Sequence, residues 1–212
     1  MLIYLHGFNS SPDSFKANLL KHHLETLGRG AEFLCPKLPW RFSRAAALID
    51  SALCSSRNSS VTLVGSSLGG YYATYFAEKY GLPAVLINPA VYPYRSLGNY
   101  LGPQTNLYTG ETYVLRAEHV EELRALEVKR ITRPERYLLL TRSGDEVLDY
   151  REAVEKFAGC VQRVIAGGDH AFRDFAHYVR GVADFADVQG VRSRAQSGAA
   201  GGDDQAYDIM PP

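Results

Sequence analysis

Several signals that would assign the chain to a partner or a compartment are missing from the sequence. Lysine and arginine together number 23, as do aspartate and glutamate, so the formal net charge is zero and no overall field favours nucleic acid. The three cysteines, Cys35, Cys54 and Cys160, include no CxxC pair, which argues against a disulfide framework and a thiolate metal site. We therefore expect a substrate chosen by a local pocket, without a nucleic acid or a metal.

Long apolar segments are missing too. No run approaches the roughly 18 apolar residues that a bilayer-spanning helix needs. Met1 leads directly into Leu2–Leu5, without the basic segment and small-residue cleavage site of a secretory leader. These absences predict a cytoplasmic protein with no membrane partner. The 212 residues, 46% of them hydrophobic, are enough for one domain with a substantial core.

What is present is an alternation of short apolar runs and amphipathic helical patterns. Runs that are apolar at consecutive positions are typical of strands buried on both faces. Strands alternating with helices predict a three-layer α/β domain, with helices on both faces of a mostly parallel sheet of about six strands. The predicted strands are Leu2–Leu5, Glu32–Cys35, Val61–Val64, Ala84–Ile87, Tyr137–Thr141 and Val161–Ile165.

Two regions depart from this alternation. Residues of about 90–136 show no confident strand, and so long a connection predicts a lid-like insertion in the domain spanning 1–187. Five tyrosines in it either line an acyl pocket or simply pack onto the domain: Tyr92, Tyr94, Tyr100, Tyr108 and Tyr113. Residues 188–212 are rich in Gly, Ser, Ala, Gln and Asp, a composition that predicts a disordered tail.

The strongest chemical signal is the segment 65–70, GSSLGG, between the strand Val61–Val64 and a helical pattern. It matches the G-x-S-x-G nucleophile elbow in the required strand–turn–helix context. Gly65 and Gly69 would make room for a strained turn that exposes Ser67. A phosphate-binding loop is excluded because Tyr71 stands where that motif needs lysine.

A serine nucleophile also needs donors for the oxyanion that forms on its substrate. The first strand is followed by His6, Gly7 and Phe8, where hydrolases of this type place such a loop. We expect the backbone N–H groups of Phe8 and Leu68 to form the oxyanion hole. His6 and Gly7 are predicted to contact the substrate.

A base must take the proton of the serine hydroxyl. His170 follows the last predicted strand and precedes the last helical pattern, where this architecture places its base. His22 and His23 fall in an early helix, and His177 is predicted to lie on a helix face. We therefore predict that His170 is the catalytic base.

The carboxylate that orients the base should follow the preceding strand. Three acidic residues do so: Asp145, Glu146 and Asp149. Asp145 directly follows Gly144 at the end of the strand and is the preferred candidate. Asp149 has a competing explanation as the N-cap of the next helix. The order Ser67, Asp145, His170 is the one expected for an elbow-type hydrolase.

With these residues in place, the chain resembles the YqiA-like esterases of the α/β-hydrolase superfamily. Ala171 departs from the pattern, since a serine is expected there, and so does the tail. The matching segments are 3–12 (IYLHGFNSSP), 65–70 (GSSLGG), 88–91 (NPAV), 108–111 (YTGE), 144–150 (GDEVLDY) and 167–170 (GGDH).

The resemblance implies an α/β-hydrolase fold and hydrolysis of carboxylic esters, including acyl thioesters of coenzyme A, by Ser67, Asp145 and His170. This chemistry needs no metal and no organic cofactor. The partner we expect is thus a small-molecule ester or thioester. Two alternatives stay open: another reaction on the same scaffold, such as a lyase or a carbon–carbon hydrolase, and a binding protein that kept the fold without activity.

Overall fold

A computed structural model describes residues 1–56, 59–106 and 108–199. Six strands form the central sheet, and the bounds of each lie within two residues of the prediction. The second strand along the chain is shorter than predicted by one residue at each end, and Glu32 belongs instead to a 3-10 turn. The strands are β1 (Leu2–Leu5), β2 (Phe33–Leu34), β3 (Thr62–Ser66), β4 (Ala84–Ile87), β7 (Tyr137–Arg142) and β8 (Val161–Ile165), with β5 (Gly102–Thr105) and β6 (Thr112–Leu115) in a separate hairpin.

The order of the strands decides where a ligand can bind. Across the central sheet the order is β2-β1-β3-β4-β7-β8, and every pairing is parallel. Strand β2 lies at one edge of the sheet, next to β1, and β3 lies on the opposite side of β1. In open sheets the crevice at such a reversal, at the carboxyl ends of the strands, is the usual ligand site. The chain segments leaving β1 and β3 there are those that begin with His6 and Ser67.

Helices cover both faces of the sheet, as the alternating sequence pattern predicts. In the described part of the chain, no helix is both long and apolar enough to cross a bilayer. The helices are α1 (Phe15–Thr26), α2 (Phe42–Ser55), α3 (Leu68–Tyr80), α4 (Pro93–Ser96), α5 (Ala117–Arg124), α6 (Tyr150–Lys156) and α7 (Val179–Ala199).

The core lies in two layers, one on each face of the sheet. Successive residues of a strand point to opposite faces, so Tyr4 packs in the layer beneath α1 and α7, while Ile3 and Leu5 pack in the layer beneath α2 and α3. All four residues of β1 and all four of β4 are buried. This explains why the sequences of these two strands are apolar at every position rather than at alternate ones.

The insertion between β4 and β7 contains more regular structure than the sequence suggested. The prediction of no strand there is corrected by the antiparallel hairpin of β5 and β6. Its strands are short and exposed at alternate residues, so they lack the continuous apolar pattern of buried strands. The hairpin contacts the segment after β1, because Tyr113 donates its hydroxyl to Asn9 Oδ1 (2.6 Å) and Asn106 Nδ2 donates to Ser10 O (3.1 Å).

The predicted start of a disordered tail at residue 188 is corrected. Helix α7 continues to Ala199, and residues 200–212 lie outside the described part of the chain. Gln189 is buried and donates to the backbone oxygen of Glu135 (3.0 Å). Because extending a helix that is already packed costs far less than starting one, residues of weak composition can continue it.

Candidate active site

The nucleophile elbow predicted from the sequence lies at the carboxyl end of β3. Ser67 has φ 55° and ψ −122°, and a positive φ of this kind costs energy for a residue with a side chain. A Cβ atom at Gly65 would lie 2.3 Å from the oxygen of Gly69, and one at Gly69 would lie 1.9 Å from the oxygen of Leu5. Both distances are prohibitive contacts, so each flanking position requires glycine.

Backbone hydrogen bonds hold the elbow in this conformation. The N–H of Ser67 donates to Ile87 O (3.1 Å), while the carbonyl of Ser67 accepts from the N–H groups of Gly70 (2.9 Å) and Ala90 (3.0 Å). Leu68 is the first residue of α3, so its N–H has no acceptor within the helix. The Ser67 hydroxyl therefore lies beside a helix N-terminus, an environment that stabilises negative charge.

The side chains of Ser67, His170 and Asp145 form one continuous hydrogen-bonded row. His170 Nε2 lies 3.0 Å from Ser67 Oγ, and His170 Nδ1 lies 2.8 Å from Asp145 Oδ2. Because a carboxylate only accepts, the proton of a neutral imidazole belongs on Nδ1, which leaves the Nε2 lone pair facing the hydroxyl. An imidazole held in this tautomer can take the proton of the serine.

Asp145 is fixed by more than its contact with the imidazole. Its side chain is only 1% exposed, and its Oδ1 accepts from the N–H groups of Val147 and Leu148, both at 2.9 Å. These two donors leave Oδ2 directed at His170. The turn after β7 thus supplies a buried carboxylate of fixed orientation.

The two rival carboxylates have other roles. Glu146 Oε2 accepts from the backbone N–H of His170 (2.9 Å), so it anchors the loop rather than the ring. Asp149 accepts from Arg151 N (3.0 Å) as the N-cap of α6, the competing explanation that the sequence offered. The structure therefore brings Asp145, of these three, to the imidazole ring.

The loop after β1 reaches the elbow, but His6 is not among the residues that line the cavity beside Ser67. Its side chain is buried, with Nε2 accepting from Leu38 N (3.0 Å) and Nδ1 donating to Gly7 O (3.0 Å). Burial lowers the pKa of His6, while the bond to Gly7 opposes that shift. His6 thus braces the loop. A Cβ at Gly7 would lie 3.2 Å from Ser67 Cβ, so Gly7 does border the nucleophile.

A cavity of about 350 Å³ opens beside Ser67 and His170. Of the five tyrosines predicted as pocket candidates, Tyr108 borders this cavity, whereas Tyr113 instead stacks on Trp40. Among the described residues, the lining side chains include two cations and no carboxylate. The lining residues are Tyr4, Gly7, Phe8, Asn9, Ser10, Ser14, Phe15, Lys16, Ser66, Ser67, Tyr108, His170, Ala171 and Arg173.

Sequence reasoning missed two side chains that contact the backbone around His170. Asn88 Nδ2 donates to the carbonyls of Asp169 and His170, both at 3.1 Å. Lys16 Nζ donates to the carbonyl of Ala171 (2.7 Å). An asparagine before proline is an ordinary turn signal, and a lysine on a helix is ordinarily solvated, so neither pattern indicated a site.

Comparison with known proteins agrees with this architecture. The model of a family described as "Uncharacterised protein family (UPF0227)" matches residues 1–187. This match confirms the resemblance to the YqiA-like family that the sequence motifs suggested.

Solved structures of α/β hydrolases superpose on most of the chain. Mouse alpha/beta hydrolase domain-containing protein 10 is 17% identical, with 88% of this chain and 89% of that one covered and a TM-score of 0.65. Est1E from Butyrivibrio proteoclasticus, solved with ferulic acid, is 15% identical, with 89% and 88% covered and a TM-score of 0.65. The monoacylglycerol lipase of Paleococcus ferrophilus is 15% identical, with 87% and 93% covered and a TM-score of 0.59. The predicted α/β-hydrolase fold is thereby confirmed.

Proposed function

The chain belongs to the uncharacterised protein family UPF0227, and we propose that it hydrolyses carboxylic esters through an acyl-enzyme on Ser67. The observation that carries this proposal is the unbroken row from Ser67 Oγ to His170 and on to Asp145, with contacts of 3.0 and 2.8 Å. A general hydrolase role is supported by the α/β-hydrolase structures that match the chain. The narrower proposal, that this chain hydrolyses esters, is inferred from the hydrogen-bonded row of side chains.

The proposed reaction has two halves. As Ser67 Oγ attacks the substrate carbonyl, His170 Nε2 takes the hydroxyl proton and then gives it to the leaving alcohol or thiol. This leaves the acyl group bonded to Oγ. Water then attacks the acyl carbon while Nε2 takes a proton from that water, and the proton returns to Oγ as the acid departs. Asp145 stabilises the imidazolium present in both halves.

The oxyanion of each tetrahedral intermediate would be held by the N–H groups of Leu68 and Phe8. Leu68 supplies an N–H without an intrahelical acceptor, and Gly7 brings the Phe8 segment close to Ser67. A single such donor is worth about 10²- to 10³-fold in turnover. His6, through its bonds to Leu38 and Gly7, would keep this segment in place.

Acyl thioesters with an anionic leaving group are included in the proposal because of the charges around the cavity. Lys16 and Arg173 line it, and no carboxylate does in the part of the chain that the structure describes. Burial lowers the pKa of Lys16, although Asp169 and Asp145 oppose that effect. Two cations beside the nucleophile would favour a substrate that carries phosphate groups outside the acyl chain.

The deciding experiment compares purified wild-type protein with Ser67→Ala on p-nitrophenyl esters and acyl-coenzyme A thioesters of increasing chain length. We expect wild-type turnover, none by Ser67→Ala, and organophosphonate labelling at Ser67 in the wild type only. The absence of both turnover and labelling would favour a silent binding protein. Labelling without ester or thioester turnover would favour a lyase or carbon–carbon hydrolase. Undiminished activity of folded Ser67→Ala would remove Ser67 from the proposed role.

A further inference from the structure

Asn88 lies between the nucleophile and the base and has hydrogen-bonding partners on both of its amide atoms. It directly follows β4 and is only 1% exposed. Its Nδ2 donates to the carbonyls of Asp169 and His170, both at 3.1 Å, and its Oδ1 accepts from Arg142 N at 2.8 Å. Two carbonyls can only accept and an N–H can only donate, so the partners themselves fix the orientation of this amide.

The backbone of the same residue belongs to the scaffold of the elbow. Asn88 N–H donates to Leu140 O (2.9 Å), just beyond the last paired residues of β4 and β7. Two residues of the same segment bind Ser67, since Ile87 O accepts from Ser67 N and Ala90 N donates to Ser67 O. The segment 87–90 is therefore hydrogen-bonded to Ser67 through its backbone and to the carbonyl of His170 through the side chain of Asn88.

The backbone conformation alone does not require asparagine. Asn88 has φ 39°, in the left-handed region that glycine adopts at lower cost. Asparagine tolerates this region better than most residues, but glycine would satisfy the turn equally well. The buried amide, which bridges β7 and the loop that carries His170, is the feature that glycine would lack.

From these contacts we propose that Asn88 is a positioning residue that sets the distance between His170 Nε2 and Ser67 Oγ. The proposal rests on the function proposed above and adds a residue to it. His170 is not held by its ring alone: Glu146 accepts from its N–H, and Asn88 donates to its carbonyl. Of these two, Asn88 connects the loop to the elbow.

Removing the amide should misplace the imidazole without unfolding the protein. We expect Asn88→Gly, which suits the positive φ, and Asn88→Asp, which places a carboxylate oxygen against two carbonyls, to lower kcat by about 10- to 100-fold, the scale of an ångström-sized misplacement. KM should stay near the wild-type value, because Asn88 does not line the cavity. The matched control is Gln189→Glu, which alters another buried amide, one bound to Glu135 O, and should keep the wild-type kcat.

A second measurement separates this proposal from the proposed function. The proton on His170 Nδ1, shared with Asp145, should give a downfield imidazole resonance in ¹⁵N-histidine-labelled wild type and in Gln189→Glu. It should be lost or broadened in both Asn88 variants. Loss of that signal in a protein that hydrolyses no ester would support the positioning role and defeat the proposed function. A wild-type signal and kcat in both folded Asn88 variants would overturn the positioning role while leaving the proposed function intact.

Discussion

His170 Nε2 lies 3.0 Å from Ser67 Oγ although 103 positions of sequence separate the two residues. The contact crosses the sheet, because Ser67 follows β3 and His170 follows β8, with β4 and β7 between those strands. A hydrogen bond between side chains on two different loops forms only if other contacts fix the position of each loop.

Replacing Asp145 by asparagine should lower kcat by about 10⁴-fold, because an amide neither holds the correct imidazole tautomer nor stabilises the imidazolium. Steady-state kinetics with a p-nitrophenyl ester would measure the loss. Asp149→Ala is the control, since Asp149 caps α6. It should cost about 1 kcal/mol of unfolding free energy with kcat preserved. Equal losses of kcat in the two variants would contradict the assignment of Asp145.

Gly69→Ala should destabilise the fold and abolish activity, because the added Cβ would meet the oxygen of Leu5 at 1.9 Å. We expect a loss of about 1–3 kcal/mol or more in unfolding free energy, measured by urea denaturation. Gly181→Ala is the matched control, since a Cβ there meets nothing within 4 Å and the residue lies in α7. It should gain about 0.5–1 kcal/mol. A folded, active Gly69→Ala protein would refute the strained-elbow geometry.

Protein stability should fall as the pH drops below the ordinary pKa of histidine, 6.5, because burial lowers the pKa of His6 in the folded state. The unfolded chain then binds more protons than the folded chain between the two pKa values, so unfolding becomes easier as the pH falls through that window. The stabilising contribution is fully present above pH 6.5.

The thermal unfolding midpoint of the wild type and of His6→Gln, measured from pH 8 to pH 5, would test this effect. His6→Gln should show a shallower decline towards low pH than the wild type. His177→Gln, which alters an exposed histidine, controls for loss of an imidazole. Parallel curves for wild type and His6→Gln would exclude His6 as the source.

Lys16→Met should raise KM for an acyl-coenzyme A thioester more than for a neutral p-nitrophenyl ester, because the lysine lines the cavity beside Ser67. The expected difference is about 2- to 5-fold, the scale of a partly exposed ion pair, and it should shrink at high salt. Lys21→Met, on the same helix but outside the cavity lining, is the control. Equal rises in KM for both substrates would instead point to the bond from Lys16 to Ala171 O.

The local features of the site could be predicted from the sequence because each depends on residues that are close together in the chain. The segment 65–70 encodes its own turn, since the glycines at 65 and 69 remove atoms that would collide. The four consecutive apolar residues Leu2–Leu5 predict a strand that is buried on both faces, and all four are buried. By contrast, the hairpin of β5 and β6 and the extension of α7 were missed, because their stability depends on contacts with distant residues rather than on their own composition.

The sequence by itself determined the fold class, the glycine-flanked turn at Ser67 and the chain order of Ser67, Asp145 and His170, because apolar periodicity and glycine placement act over a few residues. Only the tertiary structure decided which of three nearby carboxylates meets the imidazole, that His6 braces a loop, and that Asn88 and Lys16 fasten the backbone around His170. Hydrogen bonds between loops depend on the order and register of the strands to which the loops are attached. A sequence pattern does not give the distances between loops that lie far apart in the chain.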